Sequence, residues 1–198
     1  MRKDSNIAIM VLAAGASVRM SPHIKQLLPW KNTTLLGSAI ATARASNAEE
    51  IVTVLGANAQ RIKAAMALNG HRFIENKNWK QGMGSSIATG TEYFLNHKKQ
   101  YNGILIMLAD QPLLDSAYLN KMMDDFSTHK KGIVATTYAE KYGVPAVFGK
   151  AYYKELKGLS GAEGAKELLA RHLNDVIAVD PQGKTVDIDT MADYNKLK

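Results

Sequence analysis

The sequence predicts a three-layer α/β sandwich, a mainly parallel sheet covered by helices on both faces. Three observations carry that expectation. Short apolar runs alternate with amphipathic stretches along the whole chain, the pattern of βαβ units. The strongest runs, NIAIMVLA at 6–13 and YNGILIMLA at 101–109, are apolar without alternation, as strands buried on both faces are. Finally, 198 residues with 46% hydrophobic and 22% charged side chains suffice for one core, so residues 1–198 are expected to form one domain.

The first strand is expected at 6–13. It follows Met1-Arg2-Lys3, so it has the outward form of a secretion signal, but it runs straight into a loop with its own chemistry and reads as a buried strand. A helix at 34–45 follows an Asn/Thr cluster suited to capping. Next come a strand at 50–55, a helix at 59–68 that Asn58 could cap, a strand at 72–75, a helix at 85–97 and the strand at 101–109. In the helix at 115–129, Leu119, Met122, Met123 and Phe126 form one apolar stripe, read as core-facing rather than as a cofactor site. Weaker strands are expected at 132–137, 144–148, 175–179 and 185–188, with a helix at 163–172 and a last helix opening at Thr190. The glycine-rich stretch 158–164 (GLSGAEG) reads as a mobile loop near a site.

Composition narrows the function. The 25 Lys and Arg against 18 Asp and Glu give a charge of +7, spread along the chain and without a nucleic-acid signature. The absence of cysteine excludes thiol catalysis, iron–sulfur clusters and cysteine-bound zinc. No apolar run approaches the roughly 18 residues of a membrane span. A cytoplasmic protein is expected, with no nucleic-acid or membrane partner and with anionic small molecules as substrates. The five histidines form no metal-binding pair; His97, His129 and His172 fall at expected helix ends.

In a mainly parallel sheet, ligands bind beyond the carboxyl ends of the strands, so the residues just after each strand are the place to look. After the first strand come Leu12-Ala13-Ala14-Gly15-Ala16-Ser17, then Arg19 and Lys25. Small residues let backbone approach a ligand and expose amide groups to an anion. Arg19 suits phosphate oxygens in a fork, and Lys25 adds a mobile charge. A tight turn with two solvated cations reads equally from the same residues. No GK[ST] follows, which excludes a P-loop, and Gly15 lacks the partners of a dinucleotide fingerprint. Asp110, after the most hydrophobic strand, is placed to hold Mg²⁺ or to cap the next helix. Asp187 and Asp189 share one face of an expected strand, where either could complete a metal site, although Asp189 also suits the cap of the last helix. Asn76 to Ile87, with Gly84, Ser85 and Ser86 opening a helix, offers backbone and hydroxyl groups to a base or a phosphate.

Taken together, LAAGASVRM with Lys25, GMGSSI, LADQP and DIDTMADY resemble, in order and spacing, the MobA-like NTP transferases. Within that family the chain is similar to the molybdenum cofactor cytidylyltransferases and their purine-catabolism relatives. The resemblance implies a Rossmann-like fold of the GT-A type and Mg²⁺-dependent transfer of a nucleoside monophosphate, CMP from CTP, to the phosphate of molybdopterin. It implies main-chain contacts to the nucleotide from Leu12, Ala13, Ala14 and Gly15, and triphosphate contacts from Arg19 and Lys25. Asn58, Asn76, Gly84, Ser85 and Ser86 then lie near the nucleoside, and Asp110, Asp187 and Asp189 near the metal. Arg19, Lys25 and Asp110 are the implied catalytic residues. A transient contact with a molybdoenzyme or its maturation factor follows from the same resemblance.

The chain departs from the cytidylyl pattern on the acceptor side. Gly143-Val144-Pro145 stands where a Gly-His-Pro turn is usual, and 161–166 read GAEGAK where Gly-Asp-x-Gly-Ala-Arg is usual. A sugar- or polyol-phosphate nucleotidyltransferase, or a nucleotide-binding maturation factor without turnover, remain as alternatives.

Overall fold

The computed structural model describes residues 6–66, 70–139, 141–162 and 164–198. Its centre is a seven-stranded sheet. Strands β1 (Ile7–Ala13), β4 (Glu50–Leu55), β5 (Arg72–Glu75), β6 (Gly103–Leu108), β7 (Ile133–Tyr138), β8 (Lys141–Gly149) and β9 (Val176–Val179) lie in the order β5-β4-β1-β6-β8-β7-β9. All run parallel except β8, which pairs antiparallel with both β6 and β7. The predicted α/β class and mainly parallel sheet are therefore present. The apolar segment after Met1-Arg2-Lys3 is an interior strand of the sheet, between β4 and β6, with every residue of it buried.

The unbroken apolarity of β1 has a direct physical use. Ile7, Ile9, Val11 and Ala13 face one layer, formed by α1 (Leu35–Arg44), α2 (Ala59–Met66) and α4 (Ser116–Thr128). Ala8, Met10 and Leu12 face the other, formed by α3 (Met83–Asn96), α5 (Tyr153–Lys157) and α6 (Lys166–Arg171). A strand with a core on each side has no polar face to show. Met122 and Met123 lie fully in the first layer, as the stripe on α4 predicts. His97, His129 and His172 stand at the C-caps of α3, α4 and α6.

The chain runs from β1 outward to β4 and β5, then returns to place β6 on the other side of β1. The winding reverses between β1 and β6, which opens a crevice at their carboxyl ends. A third, small core closes one side of it. Met20, Leu28, Trp30 and Leu35, around a hairpin of β2 (Pro29–Trp30) and β3 (Thr33–Thr34), pack on Ile188 and on Tyr194 of α7 (Met191–Leu197). That contact brings residues near 20 and near 190 together, a juxtaposition with no local sequence signal.

Several expectations change. Residues 185–188 form no strand; among the described residues the segment is held by one backbone bond, from the Ile188 amide to the Asp110 carbonyl at 3.0 Å. The hairpin β2–β3 and helix α5 have patterns too short for periodicity to reveal. Helix α6 starts at Lys166 rather than at 163, and Glu163 lies outside the described residues, as does Leu68 at the expected end of α2. Thr34 does cap α1, accepting the Gly37 amide at 3.0 Å.

Candidate active site

A cleft of about 490 Å³ opens at the β1–β6 crevice. Its walls include Leu12, Ala13, Ala14, Gly15, Arg19, Lys25, Ser86, Asp110 and Asp189, nine of the residues singled out above. Asn58, Asn76, Gly84, Ser85 and Asp187 do not line it, although Asn76 bonds to Ser86 of the wall.

The charged cluster is built around Lys25. Its Nζ donates to Asp110 Oδ2 at 2.6 Å and to Asp189 Oδ1 at 3.3 Å, while Arg19 reaches Asp189 Oδ2 at 3.0 Å. The Lys25 and Asp110 side chains are only 15% and 22% exposed, so this pair is more than a solvated surface contact. Arg19, at 67% exposed, holds a weaker, screened pair. The bland readings of both aspartates fail on geometry. Helix α4 is capped by Asp115, whose carboxylate accepts the Tyr118 amide at 2.8 Å, and α7 is capped by Thr190, which forms a capping box with Asp193. Asp110 and Asp189 are left to the cations.

Whether these residues suit a divalent cation can be tested on their spare oxygens. Asp110 Oδ1 is buried with no partner among the described residues. Buried acceptors are normally satisfied, so this oxygen fits a cation ligand. No group of three His, Cys, Asp or Glu side chains among the described residues forms a metal cage by itself. One or two carboxylates completed by phosphate oxygens is the ordinary arrangement for Mg²⁺.

The two small-residue loops behave differently. Beyond β1, the side chain of Gln26, buried under the loop, donates to the carbonyls of Ala13 (3.2 Å) and Gly15 (3.1 Å) and accepts from Ser17 Oγ (3.1 Å). Ala57 takes the Ala14 carbonyl at 3.1 Å. Three successive carbonyls are engaged from below, while a Cβ on Gly15 would meet nothing within 4 Å. Beyond β5, Asn76 donates to Ser85 Oγ (2.8 Å) and Ser86 Oγ (3.0 Å), and Ser85 Oγ donates to the Gly82 and Asn78 carbonyls. The Gly84 amide is taken by the Gly161 carbonyl at 3.0 Å. A Cβ on Gly84 would come within 2.5 Å of the Ser160 carbonyl oxygen, and one on Gly82 within 2.3 Å of that of Gly161. The space beside these glycines is taken by another part of the chain, not by a phosphate, and of Gly84, Ser85 and Ser86 only Ser86 lines the cleft. Within the glycine-rich stretch expected near the site, Ser160 and Gly161 pack on the start of α3, and Ala162 lines the cleft.

Gln111 lies within the LADQP motif, yet no role for it is read from the sequence. It is 2% exposed, and its Nε2 donates to Asp187 Oδ1 at 2.9 Å and to the Tyr138 hydroxyl at 3.0 Å. Tyr138 in turn donates to the Val144 carbonyl at 2.5 Å. Asp187 is thus held by a neutral donor, unlike Asp110 and Asp189. Much of the residue is exposed, yet its carboxyl is pushed above the usual carboxylate range, first by partial desolvation and then by the Asp110 and Asp189 charges; the Gln111 bond and Lys25 oppose this.

Residues 9–176 match the family described as MobA-like NTP transferase domain. The chain belongs to that family. MobA-like relatives at full length include the nicotine blue oxidoreductase of Paenarthrobacter nicotinovorans, 30% identical over 95% of this chain and 94% of that protein. The purine catabolism protein PucB of Bacillus subtilis (strain 168) is 26% identical over 94% of this chain and 93% of that protein. Among solved structures, Rv0371c from Mycobacterium tuberculosis H37Rv superposes with a TM-score of 0.82 at 31% identity, over 98% of both chains, and was also solved in complex with manganese. The fold is the Rossmann-like one expected of MobA-like nucleotidyltransferases. Among the described residues, no helix is long and apolar enough to cross a membrane.

Proposed function

We propose that this protein is a Mg²⁺-dependent nucleotidyltransferase that moves CMP from CTP to the phosphate of molybdopterin, in the cytoplasm, with release of pyrophosphate. The observation that carries the reading is the Lys25 ammonium, joined to Asp110 and Asp189 beside the small-residue loop of β1. The CTP and molybdopterin assignments are supported by the similarity of Ala13-Ala14 and GMGSS to the cytidylyl branch.

An acceptor phosphate is already an anion near neutral pH, so its attack on the α-phosphorus needs no strong base. The obstacles are repulsion between anions and misalignment. In the reaction, the acceptor oxygen bonds to the α-phosphorus while the bond to the β-phosphate oxygen breaks, and pyrophosphate carries away that electron pair. Lys25 and Arg19 would trade their carboxylate partners for phosphate oxygens and meet the charge that develops on the leaving group. The loop of β1, braced by Gln26, would receive the nucleotide along its backbone. Asp110 with Asp189 or Asp187 would hold a magnesium ion, which when bound neutralises phosphate charge. Gln111 and Tyr138 would keep Asp187 in place.

A second reading is favoured by Val144, which stands where the cytidylyl branch has His, and by the exposed Lys166, where it has Arg. It keeps the nucleotide half and takes a sugar or polyol phosphate as acceptor. Pyrophosphate release separates the two: each of the four nucleoside triphosphates with Mg²⁺ is offered with molybdopterin or with a sugar 1-phosphate. Release with CTP and molybdopterin is expected. Turnover with the sugar phosphate alone would replace the first reading by the second, and binding without turnover would leave a maturation factor.

A further inference from the structure

The cleft is lined by two kinds of residue: beside the charged cluster its wall includes the apolar side chains of Leu12, Val18, Trp79, Met83 and Ala162. Trp79 and Met83 follow β5, on one side of β1, whereas Asp110 follows β6, on the other. Val18 is 78% exposed and Met83 39%, two of the six large hydrophobic side chains that the described residues leave open to solvent. Unpaired apolar surface in a concave site marks a place for a ligand. Trp79 is the one aromatic side chain of that wall, and it is half-buried. Its backbone is fixed: it opens a single 3-10 turn, with the Gln81 amide bonded to the Asn78 carbonyl and the Gly82 amide to the Trp79 carbonyl. Beneath it, Gly56 leaves no spare space, since a Cβ there would come within 2.6 Å of Trp79 Cβ and 2.5 Å of the Ala14 carbonyl. The base of the Trp79 side chain is therefore held against a floor that it shares with the loop of β1. Lys80 Nζ lies 5.7 Å from its ring centroid.

We propose that Trp79 is the stacking platform for the planar ring of the nucleotide. This deepens the function proposed above and rests on the cleft taking a nucleotide. An apolar wall with one indole, beside a cluster of cations and carboxylates, matches a molecule with a flat uncharged ring at one end and phosphates at the other. The indole supplies a π-face, and stacking tolerates different bases, so Trp79 gives affinity while choice among bases falls to other groups. A nucleoside triphosphate has this layout, and a reduced nicotinamide dinucleotide also offers a planar ring joined to phosphates; the test separates them.

The chain has two tryptophans, and Trp30 is buried in the small core beside α7. Saturating CTP with Mg²⁺ is expected to change the tryptophan emission of the wild-type protein. W79F, which keeps a ring but removes the indole, should bind CTP within a few-fold of wild type and show no such change. W79A should bind about tenfold to a hundredfold more weakly, seen as a raised KM for CTP with kcat nearly kept, and W79F should restore that KM. If W79A binds and turns over CTP as the wild type does, Trp79 is no platform, although the nucleotidyltransferase stands. If the reduced dinucleotide alone produces the Trp79 signal, the platform stands and the nucleotidyltransferase reading falls. If no nucleoside triphosphate and no dinucleotide binds the wild type, both fall.

Discussion

The loops after β1 and after β5 look alike on paper, each with Gly, Ser or Ala in succession beyond a parallel strand, yet they spend their small residues in opposite ways. In the first, the chain's own groups engage the carbonyls from beneath, and the space over Gly15 is empty. In the second, Gly82 and Gly84 are filled by the backbone of Ser160 and Gly161. A missing Cβ makes room; only the neighbours decide whether a ligand or another loop uses it.

Substitutions can break that comparison. The largest effect is expected at the charged cluster beside the first loop: Lys25→Ala or Asp110→Ala should lower pyrophosphate release by about 10²-fold or more, with far-ultraviolet circular dichroism unchanged. Near-wild-type turnover in either would remove the charged cluster from the mechanism. Next come the glycines. Gly84→Ala should cost about 1–3 kcal/mol in urea unfolding, because the new methyl meets backbone at 2.5 Å. Gly15→Ala should leave stability within about 0.5 kcal/mol and weaken nucleotide binding instead. Equal stability losses at the two sites would erase the distinction between the loops.

Smaller effects sharpen it. Thr190→Ala removes the cap that leaves Asp189 free for Arg19 and Lys25, and should cost about 1 kcal/mol on thermal unfolding. The smallest effect concerns His71, just before the strand that feeds the second loop. Burial, and then the charge of Arg44, lower its pKa from 6.5 to about 4. The folded chain therefore keeps His71 neutral where the unfolded chain would protonate it. Its contribution to stability is complete above about pH 6.5 and declines as the pH falls towards 4. His71→Gln should flatten that part of a plot of urea midpoint against pH; an unchanged slope would assign the acid sensitivity to other groups.

Much of the fold was legible because burial leaves a periodic record. The apolar runs of β1 and β6 announced strands with a core on each side, and the Leu119–Met122–Met123 stripe announced the inner face of α4. The rim of the cleft was legible for a related reason, since Gly15, Lys25 and Asp110 follow strands whose parallel pairing puts their ends on one edge. The short elements β2, β3 and α5 left too few residues for a period to form. The 185–188 segment has a strand's alternation but, among the described residues, no backbone bond to a neighbouring chain segment beyond the one to the Asp110 carbonyl.

The linear order of residues thus determined the layers, the edge on which ligand groups gather and the identity of the cations and carboxylates there, because these depend on local polarity and on strand direction. Tertiary packing alone decided that Lys25 joins Asp110 and Asp189, that Gln111 holds Asp187, that Gln26 props the first loop and that residues 160–161 fill the glycines of the second. Those choices depend on contacts between segments as many as 164 positions apart, and such contacts have no local pattern to betray them.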